Sequence, residues 1–141
     1  MHTWDTWGPN FKFNFDLKIT RTGTWKSLIH LTTGGNWPST PGASLPRVML
    51  NTDGGKTGIS VGVHMTTHFR ADGYGPMEMN KWYNIDIEQK DGKFSLTVDG
   101  ELQWTLNSGS AVYKNVQWWQ SDPWYRSAGE MAEMKNLVVW S

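Results

Sequence analysis

Hydrophobic and polar positions alternate with a period of two over much of the chain. Phe11, Phe13, Phe15, Leu17 and Ile19 fall on one side of an extended backbone, and Lys12, Asn14, Asp16 and Lys18 fall on the other. This is the pattern of a half-buried strand, whose successive side chains point to opposite faces. Further strands are expected over 25–31, 47–51, 58–65 and 81–89, the last with Trp82, Ile85 and Ile87 turned into the core. Asp91-Gly92 leads into a strand over 93–98, and Asp99-Gly100 into one over 101–106. An Asp-Gly pair between alternating apolar runs signals a tight hairpin, because a type I′ turn needs positive φ at both central residues. Strands over 112–119 and 131–140 close the series. Helical periodicity is almost absent, and neither a repeat nor a linker interrupts the pattern. The expected fold is all-β, an antiparallel β-sandwich of jelly-roll type spanning 1–141 as one domain.

Four connections are too long for simple turns: 33–46, 66–80, 107–111 and 120–130. Loops of about a dozen residues are usually functional or disordered. Each strand of an antiparallel sandwich crosses from one end to the other, so successive connections alternate ends. Counted from the strand over 25–31, the three longest share one rim, with Asn36, Trp37, His68, Arg70, Asp72, Tyr74, Asp122 and Trp124 on it. This count holds only if no strand has been missed.

Composition sharpens that picture. Trp makes up 10 of 141 residues, more than a core of this size readily hides, so some indoles should be open to ligand. A flat aromatic ring packs on the C–H face of a pyranose, while amide, carboxylate and guanidinium groups bond pairs of hydroxyls. The rim therefore reads as a carbohydrate-binding site, with Trp37, Tyr74 and Trp124 as stacking candidates. Asp72 and Asp122, with Asn36 next, are expected as ligands should calcium bind there.

Charge and motifs narrow the alternatives. Lys+Arg and Asp+Glu both number 13, scattered without a run of one sign. Nucleic-acid binding and electrostatic membrane attachment both need a basic face. No stretch approaches the roughly 18 apolar residues of a spanning helix, and no leader-like apolar run follows Met1. A secreted form would thus be mature, with an added or retained Met. The chain has no Cys, so disulfides and thiolate chemistry are excluded.

Asp86 and Glu88 share one face of a strand and are the acidic pair a glycosidase would need, yet no further carboxylate follows within that strand. The solvent face of an alternating strand explains them better. His64 and His68 are four apart but not on a helix, and His30 reads as a satisfied buried histidine. No Gly-x-Ser-x-Gly elbow is present. The expectation is a binding protein that is not an enzyme. The alternatives are a structural or protein-interaction domain of adhesion or matrix type, and a glycan hydrolase. Trp118 and Trp119 place one indole on each face of their strand, and an exposed outer one would mark a homodimer interface.

Several stretches carry a likeness to a known family. They are Trp25-Lys26-Ser27-Leu28-Ile29-His30-Leu31-Thr32-Thr33-Gly34-Gly35, Leu45-Pro46-Arg47-Val48, Trp82 with Val98-Asp99-Gly100, Ser121-Asp122-Pro123-Trp124 and Lys135-Asn136-Leu137. Together they resemble the concanavalin A-like lectin/glucanase superfamily, in particular its laminin-G-like animal domains, over nearly the whole chain. The resemblance implies a jelly-roll sandwich, an extracellular binding module, and glycans as partners, sometimes with calcium. The glucanase branch's E-x-D-x-x-E run is absent.

Overall fold

The computed structural model describes residues 2–21, 26–34, 40–51, 57–66, 68–119 and 131–141. These hold eleven strands and no helix. In chain order they are β1 (His2–Trp7), β2 (Phe11–Ile19), β3 (Lys26–Thr32), β4 (Arg47–Asn51), β5 (Gly58–Val63), β6 (Arg70–Tyr74), β7 (Trp82–Lys90), β8 (Lys93–Val98), β9 (Glu101–Asn107), β10 (Tyr113–Trp119) and β11 (Ala132–Trp140). They form two antiparallel sheets, six-stranded in the order β1-β10-β3-β4-β5-β6 and five-stranded in the order β11-β2-β7-β8-β9. The fold is the all-β sandwich that the alternation predicts.

The core lies between the sheets. Every second residue of β2, from Phe11 to Ile19, is buried. These meet Ile85, Ile87, Phe94 and Leu96 beside them, and Ile29, Leu31, Val48, Leu50, Val61 and Val63 from the other sheet. Each such side chain contributes about 1.5–3 kcal/mol by leaving water. Both Asp-Gly turns take the expected conformation: Asp91 and Gly92 have φ of 52° and 79°, and Asp99 and Gly100 have 49° and 81°. Residues of β2 and β7 pair without a slip from Phe11 opposite Gln89 to Lys18 opposite Trp82.

Two strands escape the sequence pattern. In β1, Trp4 and Trp7 both pack towards the core although they are three apart. Asn115 on the neighbouring strand β10 has φ 56°, which breaks strict alternation there. Strand β6 lies within what reads as the 66–80 loop. Its sequence, Arg-Ala-Asp-Gly-Tyr, contains an Asp-Gly pair and no apolar alternation, because it is an edge strand exposed over most of its length.

The extra strand β6 shifts the alternation of ends, and the shared rim is corrected accordingly. Gly42 donates its amide to His64 O, and Thr66 Oγ1 donates to Ser108 O, so 40–46, 64–66 and 108–112 gather at one end. The opposite end holds Met131, whose carbonyl accepts from Thr20 N, and Trp119, paired with His30. The residues flanking 120–130 therefore lie away from the 33–34 and 64–66 segments. Trp82 also departs from expectation: three residues from Ile85, it faces outward, with Lys135 Nζ 4.0 Å and Lys18 Nζ 4.9 Å from its ring centre.

Candidate functional site

Strand β6 carries three of the expected site residues. Its register places Arg70 opposite Val63, Asp72 opposite Val61 and Tyr74 opposite Ile59. All three therefore point to the inter-sheet side of an edge strand, about 7 Å apart in succession. His68 is exposed just before the strand. The edge of the other sheet, β9, closes against β6 through two hydrogen bonds. Trp104 Nε1 donates to Gly73 O at 3.0 Å, and Arg70 Nε donates to Asn107 O at 3.2 Å. The first pins the Trp104 indole, which also packs against Phe94 at 5.9 Å. The second fixes the Arg70 guanidinium while the side chain stays exposed.

Asp72 Oδ1 accepts from Gly73 N at 2.7 Å, a local bond within the strand, and the side chain is exposed. Tyr74 is half-buried, edge-on to Tyr83 at 6.3 Å. Burial pushes its phenol above the ordinary value of 10.0, and Tyr83, Asp99 and Glu101 act the same way against Lys81. Its hydroxyl is a hydrogen-bond donor at any physiological pH. An aromatic pair, a guanidinium and a carboxylate thus line one strand edge. Asn36, Trp37, Asp122 and Trp124 lie outside the described residues. Among the described residues, no group of three or more His, Asp or Glu is placed to hold a metal ion.

A second polar feature was not singled out from the sequence. Strands β3 and β4 are buried on both faces, so the outer face of the six-stranded sheet is covered at its centre. Cross-strand pairs make a row on that face: Trp119 opposite His30, His30 opposite Arg47, Arg47 opposite Gly62. His30 is 2% exposed and Arg47 1%. His30 Nε2 donates to Ala43 O at 2.8 Å; a carbonyl can only accept, so in the neutral ring Nδ1 carries the lone pair. Arg47 Nε lies 3.2 Å from Met49 Sδ. The outermost member of the row, Trp119, is 43% exposed. The signal for this row was available: His30 and Arg47 interrupt apolar strands, and the resemblance stretches contain both.

Asp86 and Glu88 do share a face, the outer one of the five-stranded sheet. Lys12 Nζ lies 3.3 Å from Asp86 and 4.0 Å from Glu88, and Asn14 Nδ2 donates to Asp86 at 2.8 Å. They are members of a bonded surface lattice.

Comparison with known proteins adds the fold. No protein-family model matches the chain, and neither does any curated protein. Solved structures do match. The binding domain of botulinum neurotoxin serotype D superposes with a TM-score of 0.68 at 14% identity, over 98% of this chain and 34% of that one. An alginate lyase from Alteromonas sp. 272 gives 0.55 at 12%, over 96% and 72%. The family 7 alginate lyase A1-II′ in complex with substrate gives 0.60 at 12%, over 96% and 62%. The chain spans about a third of the length of the neurotoxin chains it matches. At these identities the likeness shows a common β-sandwich jelly roll. It also corrects the expectation that the chain is not an enzyme: several proteins with this fold are lyases, so a missing glucanase motif does not carry that conclusion.

Proposed function

We propose that this protein binds carbohydrate along the edge where β6 meets β9. The observation that carries the reading is the alignment of Arg70, Asp72 and Tyr74 on one side of an edge strand, beside an indole pinned to that strand's backbone. The sugar's C–H face packs on Trp104, and its hydroxyls bond the Asp72 carboxylate and the Arg70 guanidinium in pairs. An extended edge suits a linear oligosaccharide. Alginate lyases and toxin binding domains with the same fold, and the resemblance to laminin-G-like domains, support a glycan partner in an extracellular setting.

Titration calorimetry against neutral and uronate oligosaccharides, with and without calcium, tests the reading. We expect saturable heat from at least one glycan class. Arg70→Ala and Asp72→Ala should each weaken that binding by about 5–50-fold, the loss of one or two hydrogen bonds to charged groups. No heat from any glycan in either condition would sink the proposal.

A further inference from the structure

We infer that Trp119 and Gln117 form a second binding platform, for a neutral hexose-containing glycan, on the outer face of β10. Two parallel rows of side chains meet there. One runs Trp119–His30–Arg47. The other runs Thr3–Gln117–Thr32, each member opposite the next across the sheet. The rows are two residues apart along the strands, about 7 Å, close to the span of one pyranose ring with its hydroxyls.

The chemistry at the open end of these rows fits a sugar. Trp119 presents a large aromatic surface, 43% exposed. Its Nε1 donates to Gln117 Oε1 at 3.2 Å, which holds the indole and turns the Gln117 amide nitrogen away as a donor. Beside it the accessible members of the two rows are the Thr3 hydroxyl and the Gln117 amide, while Thr32, His30 and the charge of Arg47 are buried behind them. Uncharged donors and acceptors beside an aromatic face match neutral sugar hydroxyls better than an anion. A second protein copy fits less well. A stable interface needs roughly 800 Å² per partner around an apolar centre, and among the described residues of β1, β10 and β3 this face offers one large exposed apolar group, Trp119.

The platform is distinct from the β6–β9 edge. Strands β10 and β6 are four positions apart in the sheet, about 19 Å. The proposal therefore goes beyond the edge site and does not depend on it.

Calorimetry with a neutral glucose hexasaccharide tests it on the full chain, using Trp119→Ala, Trp119→Phe, Gln117→Leu and the edge variant Arg70→Ala. We expect Trp119→Ala to lower affinity at the platform at least ten-fold and Trp119→Phe to keep most of it. Gln117→Leu should lower it several-fold, and Arg70→Ala should leave it unchanged. The melting temperature of each variant, read alongside, confirms that the loss is not unfolding. Unchanged binding in a folded Trp119→Ala, or no hexasaccharide binding by the parent, overturns the proposal. So does a sedimentation profile in which the parent is a dimer and Trp119→Ala a monomer, because the surface is then a protein interface. Loss of binding in Arg70→Ala alone, with Trp119→Ala unaffected, assigns the sugar to the edge and also overturns it.

Discussion

The two sheets turn opposite kinds of outer face to their surroundings. On the five-stranded sheet, β2 and β7 alternate buried and half-exposed residues along their length. The half-exposed set, Lys12, Asn14, Asp16, Asn84 and Asp86, is bonded sideways into a lattice in contact with water. On the six-stranded sheet, β3 and β4 show no such alternation, and Ser27, His30, Thr32 and Arg47 are buried on the side away from the core. The lattice costs little, because its charged and amide groups bond one another while staying in contact with water. Burying a guanidinium and an imidazole costs desolvation that packing alone has no reason to incur. Buried polar groups outside the hydrophobic core therefore mark the six-stranded sheet as the face where stability yields to another demand.

The largest effect that would break this comparison comes from Arg47. Truncation to Ala removes a long, fully buried side chain and strands whatever it bonds, so we expect a loss of about 3 kcal/mol from the urea midpoint. Asp86→Ala, on the open lattice, should lose under about 1 kcal/mol, as exposed ion pairs do. Equal losses at the two positions would mean that the faces differ in appearance and not in energy.

A smaller effect tests how tightly the covered face is packed. A Cβ at Gly62 would come within 2.5 Å of the Phe69 ring, which lies over β5 on that face. Gly62→Ala should cost about 1–2 kcal/mol as the ring is forced aside. Gly100, whose Cβ would meet nothing, isolates the turn contribution: its φ of 81° makes Gly100→Ala costly through backbone strain alone. The two variants separate by double substitution with Phe69→Ala, which should relieve the first and leave the second.

The comparison also explains what was legible in the sequence. Period two reports a strand with one wet face, so β2 and β8 are read with their bounds intact, and the Asp-Gly pairs fix the hairpins on either side of β8. It is silent where neither face is dry. Strand β6 is exposed over most of its length, so Arg70, Asp72 and Tyr74 read as a polar cluster on a loop, and the missing strand displaces the rim. The period is also silent where both faces are dry. His30 reads as a buried histidine, but its row with Arg47 arises only from pairing across strands, which no local pattern contains. Trp104 falls within the strand expected over 101–106, which says nothing of a site. Its value to the site comes from a hydrogen bond to Gly73, 31 residues away, which no local pattern contains.

The smallest effect concerns Asp16, at the centre of the open lattice. Asn136 Nδ2 and Asn84 Nδ2 donate to its carboxylate at 2.8 and 3.0 Å. These bonds, with the nearby Lys135, hold it below the usual 3.8 against the opposing influence of burial. Above that value both folded and unfolded chains carry the carboxylate ionised, and the bonds contribute their full stability. As pH falls, the unfolded chain takes up its proton first, so the contribution fades and is gone once pH drops through the lowered folded value. The parent should therefore lose stability faster than Asp16→Asn below about pH 4, and the two urea-midpoint curves should run parallel above about pH 5. The separation should be small, because the group is half-exposed and solvent screens its bonds, and Asn136→Ala should halve it. Curves that stay parallel down to pH 2 would show the lattice to be geometry without energy. The open face would then differ from the covered one only in what it leaves uncovered.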